Sequence, residues 1–568
     1  MPYTLLPLFF LAGWGTTTHI SPWVSWHAEL PFFVGAILIA WLQTGRQWNS
    51  GVSGGLILPV TVWPFVILIL ATLGQWAAGR LAYAGTALVV VLYLGLMLVC
   101  QVIGRNADVR NDRGAGGVAA SQLATILAGT LLVASIASVA LALAQVTQVW
   151  EGSAWVLRTA GIRRPGGNLG QPNHLSTLLM MGMAAVAYFG ATSRLSKLTV
   201  ACIVGFLCLG LAITESRTGL VCLVVLSFWW AWKQPMVAPN VPRWIPIPFV
   251  SGYLFVLMIW PEVYEALGGV LYEGARVGAE GAIGDARMTI WPQLWKATAA
   301  FPWLGWGMRE TTEAHASVLH AYASSLPLAY SHNIILDLAL WTGWPLTLAL
   351  LLLSLYWLCM RTSAIDGPLA WFGMALVLPL AIHSLFEFPF AYAYLLAPAM
   401  LGMGLVEANV PSSGPRLRIR AEYMALLLAP LSAIGAWSAI DYLRLEEDFR
   451  AARFEMLKIG APTSAHQRPP TVILTQLEAV VRAARMNLHD RMSLDDLEAL
   501  RIASTQTPWS GLRYKYARAL ALNQQLDAAA KQLQLIRVQY GAEVQEAFRR
   551  QLTEDNRKLG VREELPQY

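Results

Sequence analysis

Long apolar runs alternate with short polar loops along most of this chain, and the pattern predicts membrane-spanning helices. A helix needs roughly 20 residues to cross about 30 Å of hydrocarbon. Runs of suitable length lie at 3–19, 27–43, 56–76, 81–104, 118–148, 174–192, 197–214, 218–233, 245–262, 331–360, 368–386, 390–408 and 421–440. We therefore predict an all-α polytopic membrane protein of about 13 transmembrane helices.

The chain changes character after the last apolar run. Residues 441–568 are polar, with apolar positions at helical spacing, which predicts a second, helical domain after a transmembrane domain at 1–440. Within this tail, apolar residues flank a turn on both sides, at Tyr514, Ala517, Leu520 and Leu522 and then at Leu526, Ala529, Leu533 and Ile536. Such a helix–turn–helix is tetratricopeptide-like, although a full repeat signature is missing. A structural cap and a platform for an acceptor or partner remain equally open.

Basic residues in the short loops predict the orientation. They fall in every second loop, at Arg46, at Arg105, Arg110 and Arg113, at Arg194 and Lys197, at Lys233 and Arg243, at Arg361, and at Arg416, Arg418 and Arg420. Because basic loops stay in the cytoplasm, the N-terminus is predicted to be cytoplasmic. An odd number of spans then places the helical tail on the opposite, external side.

Composition agrees with a membrane protein. Of the 568 residues, 56% are hydrophobic and only 13% are charged, against about a quarter charged in soluble proteins. The 24 Trp fit aromatic belts at membrane interfaces. The net charge of +6 comes from residues dispersed between apolar spans, so nucleic-acid binding is not favoured. The five cysteines lie in apolar runs and are interpreted as packing residues. No cleavable signal peptide is predicted, because the first apolar run lacks a basic flank and a cleavage site.

Apart from a lone Arg80, two predicted external loops break the charge rule. The loop at 149–173 and the loop at 263–330 carry several cations each, namely Arg158, Arg163 and Arg164 in the first and Arg276, Arg287, Lys296 and Arg309 in the second. Topology alone disfavours external cations, so these loops are predicted to bind something anionic.

Four polar clusters are predicted on that same external side. The first, GNLGQPNH, ends at His174 and contains Gln171 and Asn173; a plain helix cap is the alternative. The second, TESRTG, places Glu215 and Arg217 between two spans with almost no loop. Charges this close to hydrocarbon are functional candidates, although a structural Glu–Arg pair would also explain them.

The third cluster lies in and after the long loop. Arg287 leads an amphipathic stretch whose apolar positions are predicted to lie in the membrane interface, at Ile290, Trp291, Leu294 and Ala297. A plain surface helix is the alternative. His332 begins the tenth predicted span, with Asn333 beside it and Asp337 about one turn further on. A helix-capping histidine is the alternative there.

The fourth cluster is HSLFEFPFAYAY. His383 and Glu387 are one helical turn apart, a spacing that fits a His–Glu pair on one face. A structural pair and a functional pair are equally compatible with this spacing.

Arginines at a membrane surface suit a diphosphate, because guanidinium binds phosphate oxygens bidentately and keeps its charge. A histidine is the usual base for an incoming hydroxyl, and it contributes about 10²–10⁴-fold to the rate. A metal mechanism would use clustered carboxylates. External loops contain no Asp-x-Asp, with Glu280 and Asp285 as the nearest candidates. We therefore expect a metal-independent site without a cofactor.

Five runs together resemble the O-antigen ligase/polymerase superfamily and, within it, the PglL-type bacterial protein O-oligosaccharyltransferases. They are GNLGQPNHLSTLLM, ESRTG, ARMTIWPQLWKATAAFPWLGWG, SHNIILDLALWTG and HSLFEFP. The resemblance covers about 150–400, and the helical tail is similar to that subgroup's C-terminal region. One departure is Phe388, where the family often has Tyr. If that hydroxyl contacts substrate in the family, either Tyr392 or Tyr394 must substitute for it here or the acceptor preference differs.

The resemblance implies a bacterial inner-membrane enzyme that faces the periplasm. It would transfer an oligosaccharide, with inversion, from undecaprenyl diphosphate to a Ser or Thr hydroxyl of a periplasmic protein such as pilin. His332 matches the catalytic base, and Arg217 and Arg287 match the diphosphate-binding arginines. The expected donor- or acceptor-binding residues are Gln171, Asn173, His174, Arg276, Arg309, Asn333, His383, Glu387 and Tyr392.

Rival functions remain open. An O-antigen ligase with lipid A core as acceptor, or a glycan polymerase, would share the donor chemistry. A transporter or lipid flippase would show paired repeats and charges near mid-membrane, and the sequence shows no convincing repeat. A membrane scaffold would leave the external arginines unexplained.

Overall fold

The computed structural model describes residues 2–49, 55–107, 116–150, 152–158, 163–269, 280–410, 417–456, 459 and 470–558. Within these ranges the chain is mostly helical. The first ten helices are α1 (Leu5–Gly15), α2 (Trp26–Asn49), α3 (Trp63–Ala77), α4 (Ala84–Arg105), α5 (Gly116–Thr147), α6 (Pro172–Ala191), α7 (Lys197–Ile213), α8 (Arg217–Val237), α9 (Pro246–Ala266) and α10 (Glu280–Thr298). The others are α11 (Thr311–Val318), α12 (Ile334–Thr342), α13 (Trp344–Ala364), α14 (Pro368–Ser384), α15 (Ala393–Asn409), α16 (Ala421–Met456), α17 (Thr475–Arg485), α18 (Leu494–Gln506), α19 (Ser510–Leu522), α20 (Leu526–Tyr540) and α21 (Ala542–Lys558). Two short strands, β1 (Leu56–Ile57) and β2 (Arg418–Ile419), pair antiparallel.

Nine apolar segments in the described part of the chain are long enough to cross a membrane. They are Trp26–Asn49, Val60–Ala77, Ala84–Arg105, Gln122–Thr147, Pro172–Ala191, Arg217–Val237, Pro246–Ala266, Trp344–Ala364 and Ala421–Glu455. The apolar helices α7 and α14 are shorter. The protein is thus helical and multi-pass, while the predicted count of about 13 spans is not confirmed. In particular, α1 has only 11 residues.

The predicted span at 331–360 begins too early, because the structure divides this stretch at Gly343 into the short α12 and the membrane-length α13. Gly343 has φ of +80°, and a Cβ there would lie 2.4 Å from the Trp303 carbonyl carbon. Gly305 is equally close to the segment that contains Gly343: a Cβ on Gly305 would lie 2.4 Å from the Trp341 carbonyl carbon. Two backbone bonds complete the crossing, from Trp306 N–H to the Leu340 oxygen and from Trp344 N–H to the Pro302 oxygen. We name this backbone crossing, formed by residues 302–306 and 340–344, the glycine crossing.

One compact unit comprises residues 1–68, 92–273 and 352–435. Its core contains α5, α6, α14 and α15, whose buried side chains are mainly Leu, Ala and Met. Helices α14 and α15 approach closely where two glycines meet: a Cβ on Gly402 would lie 2.5 Å from the Gly373 oxygen. Small residues of this kind allow close helix packing in membranes.

The other compact unit comprises residues 69–91, 274–351 and 436–568. It groups most of the long loop with the polar tail, and α16 runs through the predicted domain boundary at 440. The predicted helix–turn–helix is present as α19 and α20, which bury Ala517, Leu520, Leu526 and Leu533. Its assignment as tetratricopeptide-like stays a prediction.

Candidate functional site

The first two polar clusters of the sequence are in direct contact at the start of α6 and α8. Gln171 caps α6, accepting the His174 N–H at 3.0 Å, and Pro172 fits the first turn because it needs no N–H partner. Ser216 caps α8, and its hydroxyl donates to the Asn173 side-chain oxygen at 2.8 Å. The helix-cap alternative is therefore correct for Gln171, and Asn173 joins the two helix starts.

A bidentate ion pair holds the Thr214–Arg217 turn. Arg163 donates from Nε and Nη2 to the two Glu215 oxygens, each at 2.6 Å. Glu215 itself has φ of +49°, and the neighbouring Arg164 donates to the Thr214 carbonyl at 2.8 Å. The sequence suggested a Glu215–Arg217 pair, whereas the structure pairs Glu215 with Arg163 and leaves the Arg217 side chain exposed.

Burial lowers the pKa of Arg164, and the nearby Glu215 and Glu387 carboxylates oppose that shift. Glu387 is itself buried. Its backbone N–H donates to the His383 oxygen at 2.9 Å, so a helical turn continues three residues past the end of α14 at Ser384. The predicted one-turn spacing of His383 and Glu387 is thus present in the backbone.

An aromatic and histidine cluster joins α6 to the turn before α15. His174 Nδ1 lies 2.8 Å from the Tyr394 hydroxyl oxygen, and the His174 ring centroid is 4.3 Å from that of Tyr392. His383 Nδ1 lies 2.7 Å from the Thr177 hydroxyl oxygen. Both tyrosines considered as replacements for a hydroxyl at Phe388 therefore pack around His174.

Glu29, in α2, supports this cluster, and it was not predicted from the sequence. Its carboxylate accepts the Ala393 N–H at 2.7 Å, between the two tyrosines. The hydroxyls of Ser25 and Tyr93 donate to the same carboxylate. A carboxylate inside the apolar run at 27–43 was the signal that could have revealed it, because intramembrane charges need partners.

His332 lies in a tightly bonded turn before α12. Its φ is +59°, a left-handed conformation that non-glycine residues adopt infrequently. On either side, the Ser331 hydroxyl donates to the Asn333 carbonyl at 2.7 Å and accepts the Asn333 N–H at 3.1 Å. The Asn333 side chain caps α12 by accepting the N–H groups of Ile335 and Leu336. Asn333, not His332, is therefore the helix cap.

Asp337 lies beneath this turn and is fully buried. Its Oδ1 accepts the Ser331 N–H at 2.9 Å and the Thr311 hydroxyl at 3.0 Å, while Oδ2 has no hydrogen-bond partner among the described residues. Burial raises the pKa of Asp337 to about 7, against hydrogen bonds and the charge of His332, which lower it. An acid of this kind changes charge near neutral pH beside the histidine.

Two arginines of the long loop are connected to the same turn. The indole of Trp291 donates to the Ser331 carbonyl at 2.9 Å, and Arg287 precedes Trp291 by one turn of α10. The Arg309 guanidinium carbon lies 5.7 Å from the Tyr330 ring centroid, a cation–π contact two residues before His332. Arg276, the remaining predicted binding residue, lies outside the described residues.

The prediction that this apolar face of α10 lies in the membrane interface is wrong. Ile290, Leu294 and Ala297 are buried in the protein, so this face of α10 packs inside the fold and not in the membrane interface. The buried face of α10 therefore packs against α11 and α12.

Buried bonds connect the long loop to the tail. The Gln506 amide donates to Glu310 at 3.0 Å, and burial raises the pKa of Glu310 to about 8. The Ser325 N–H donates to the Val538 carbonyl at 2.7 Å. His315 Nε2 lies 2.9 Å from the Gln293 side-chain oxygen, and burial lowers the pKa of His315 to about 4. The segment that precedes His332 is therefore held by the tail.

Among the residues whose placement is described, no three His, Cys, Asp or Glu side chains group as metal ligands would. The expectation of a metal-independent site stays a prediction.

Three family models match parts of the chain. The model described as O-antigen ligase matches residues 198–351, which contain Arg217, Arg287 and His332. The model described as protein glycosylation ligase matches 165–189, and that described as virulence factor membrane-bound polymerase, C-terminal, matches 371–553. The resemblance to the O-antigen ligase superfamily is confirmed.

Two curated relatives come from Acinetobacter baylyi. The chain is 23% identical to a general O-oligosaccharyltransferase over 92% of its own length and 89% of the relative. It is 24% identical to a ComP-specific O-oligosaccharyltransferase over 51% of its length and 53% of that protein. The similarity to transferases of this class thus extends across both the apolar region and the tail.

Proposed function

We propose that the protein is a metal-independent oligosaccharyltransferase of the bacterial inner membrane, with its active site in the periplasm. It moves a glycan from undecaprenyl diphosphate to a Ser or Thr hydroxyl of a periplasmic protein such as pilin. The observation that supports this most is the His332 turn: a histidine in a left-handed conformation, fixed by Ser331, Asn333 and Asp337. Strained backbone conformations of this kind persist only where the surrounding structure imposes them, and they are concentrated at active sites.

In the proposed reaction, the acceptor oxygen forms a bond to the anomeric carbon while the bond from that carbon to the diphosphate oxygen breaks. The bonding electron pair leaves with the diphosphate, and the acceptor proton passes to His332. Attack opposite to the leaving group inverts the anomeric configuration. The carboxylate of Asp337 would stabilise the imidazolium that forms.

The leaving diphosphate requires positive charge. Arg287 and Arg309 are the loop arginines connected to the His332 turn, through Trp291 and Tyr330 respectively. Guanidinium groups bind phosphate oxygens bidentately and remain charged when partly desolvated. Arg217 is proposed as a further diphosphate ligand on the resemblance alone.

The proposed binding residues of the other compact unit surround His174. The half-buried Tyr392 places a ring face next to this histidine, a contact suited to a sugar ring, while the buried Tyr394 holds His174 through its hydroxyl. Gln171, Asn173, His383 and Glu387 would act mainly by holding these groups in place.

The decisive experiment is incubation of the purified protein with lipid-linked glycan and a pilin acceptor, followed by mass spectrometry of the acceptor. His332→Ala should abolish transfer while the protein still inserts in the membrane. His320→Ala is the matched control, because His320 is an exposed histidine of the same loop. Normal transfer by the His332 variant would disprove the assignment of the base.

A lipid or glycan acceptor is the second candidate, because the matching models are described as O-antigen ligase and as a polymerase. Lipid A core and a growing glycan chain would use the same donor site. Deletion of the gene separates the cases: lost pilin glycosylation with unchanged lipopolysaccharide bands supports the protein acceptor, whereas lost bands support a ligase or polymerase.

A further inference from the structure

The outer face of α10 and the segment that follows it expose several large apolar side chains. Met288 is 76% exposed and Trp295, seven residues later on the same face, is 61% exposed. Trp303 and Leu304 follow, at 75% and 62%. Soluble surfaces rarely keep apolar groups of this size together in contact with water. We call these four residues the apolar rim.

The apolar rim is joined to the first turn of a membrane-spanning helix. The ring centroids of Trp295 and Trp344 are 4.8 Å apart, and the Trp344 indole donates to the Thr298 hydroxyl at 3.2 Å. Trp344 begins α13, one of the apolar helices long enough to cross a membrane. Only 11% of its apolar stretch is buried in the protein, as in a helix that faces lipid.

A second membrane-spanning helix ends at the same place. Gln75, near the end of α3, donates to the Leu304 carbonyl at 3.3 Å and to the Trp341 carbonyl at 2.7 Å. Arg80, just beyond that helix, donates to the Gly305 carbonyl at 2.7 Å. The ends of two apolar spans therefore set the depth of residues 303–305.

Residues at the end of a membrane span lie at the boundary between hydrocarbon and headgroups, where tryptophan is enriched. We propose that the apolar rim lies in the lipid of this boundary, so that α10 is an interfacial helix with its inner face in the protein and its outer face in the membrane. The occupant of this surface is lipid. The sequence predicted an interfacial helix here but assigned the opposite face.

Two cations next to the apolar rim also fit a position at the membrane boundary. Arg287 directly precedes Met288, and Lys296 directly follows Trp295. The Lys296 ammonium lies 5.6 Å from the Tyr322 ring centroid, on the side of the loop. Such alternation of apolar and basic residues suits a helix lying among anionic headgroups. This inference does not depend on the proposed transfer reaction.

Depth-dependent fluorescence quenching tests the proposal in the full-length protein. The exposed Cys202 and Cys359 are replaced by Ser, and single cysteines at Leu304→Cys or Met288→Cys carry an environment-sensitive fluorophore. The protein is placed in vesicles of phosphatidylethanolamine and phosphatidylglycerol that contain a lipid with a nitroxide near the start of its acyl chain. Leu494→Cys is the control, because Leu494 is 80% exposed on the polar tail.

We expect the nitroxide lipid to quench the fluorophore at both rim positions at least several-fold more than at position 494. Aqueous iodide should show the opposite order. Iodide quenching at 304 or 288 equal to that at 494 would overturn the proposal, since the rim would then face water. Protection from both quenchers would overturn it as well, because a protein partner would then cover the rim. Both substituted residues are surface residues, and a matching elution profile from size-exclusion chromatography verifies that each variant folds.

Discussion

The Ser331 backbone N–H donates to Asp337 Oδ1 at 2.9 Å, and this bond fixes the residue before His332 to a fully buried carboxyl. The same oxygen accepts the Thr311 hydroxyl, which in turn accepts the Trp341 indole N–H at 2.8 Å. The chain therefore secures the proposed base through a neighbour and leaves the imidazole itself half-buried. Asp337 is thus expected to contribute in two ways, by accepting the hydrogen bonds that hold the turn and by its negative charge beside His332.

Substitution of Asp337 separates them. Asp337→Asn keeps an oxygen for Ser331 and Thr311 but removes the negative charge, so we expect at least about tenfold slower transfer with a near-normal unfolding midpoint. Asp337→Ala should slow transfer and lower the midpoint as well. Transfer rates and thermal unfolding in detergent measure both effects.

The pKa of Asp337 also predicts the direction in which the transfer rate changes with pH. The pKa of Asp337 is about 7 in the folded protein, so the anion that stabilises the imidazolium is present above that pH and lost below it. The wild-type rate should therefore rise through pH 7, and the Asn variant should lack this rise. An Asn variant with the wild-type rate and pH profile would rule out the charge contribution, while an inactive His332→Ala variant would leave the base assignment intact.

Arg287→Lys should reduce transfer about 10- to 100-fold, because a point charge cannot replace a bidentate fork and a charge-assisted bond contributes about 1.5–3 kcal/mol. Arg243→Lys is the control, since Arg243 is an exposed arginine in a predicted cytoplasmic loop. Initial rates with lipid-linked glycan measure both. Equal rates for the two variants would argue against diphosphate binding by Arg287.

The Arg163–Glu215 pair should be coupled in stability. Both side chains are mostly buried, so Arg163→Gln leaves a carboxylate without its partner, and the double variant with Glu215→Gln should recover part of the loss. A double-mutant cycle on thermal unfolding should give a coupling energy of about 1–3 kcal/mol.

The exposed Arg501–Glu498 pair is the matched control for that cycle, with an expected coupling below about 0.5 kcal/mol. Coupling at Arg163–Glu215 no larger than at this control would show that the turn is held by other contacts.

Gly343→Ala should destabilise the protein far more than Gly541→Ala. Both glycines have nearly the same backbone conformation, with φ of +80° and +94° and ψ of 165°, which costs an alanine about 1–3 kcal/mol. A Cβ at Gly541 meets nothing within 4 Å, whereas one at Gly343 meets the Trp303 backbone. Unfolding midpoints of the two variants isolate the steric contribution. Similar midpoints would mean that the glycine crossing can widen without cost.

Glu310→Gln should stabilise the protein at alkaline pH. Burial raises the folded-state pKa of Glu310 to about 8 from an ordinary 4.5, so wild-type stability falls as pH rises between these values. The Gln variant avoids this loss and keeps an acceptor for Gln506. We expect its unfolding midpoint to exceed that of the wild type by a few degrees at pH 8.5 and to match it near pH 4.5. An advantage at pH 4.5 of the same size would contradict a titrating Glu310.

The apolar spans were largely predictable, because length and hydropathy are local properties of the sequence. The same holds for the start of α6, where Gln171 and Pro172 give a local cap signal. The break at Gly343 was not predictable in this way, because it depends on the backbone of Trp303, forty residues earlier.

Contacts between distant segments were the part that the sequence could not supply. Periodicity identified α10 as amphipathic but could not tell a protein-facing Leu294 from a lipid-facing Trp295, since both are apolar. Glu215 has an arginine two residues away in the chain, yet its partner is Arg163, fifty-two positions earlier. The grouping of His332 with Asp337 was suggested by spacing, whereas the bond through Ser331 required the structure.

The hydrogen bonds from Gln506 to Glu310 and from Ser325 to Val538 bear on the design of hybrid enzymes. An exchange of tails between homologues would place foreign side chains against a loop adapted to its own partner, and buried polar groups would lose their complements. A chimera intended to alter acceptor choice should therefore exchange residues 306–325 together with the tail, as one inherited block.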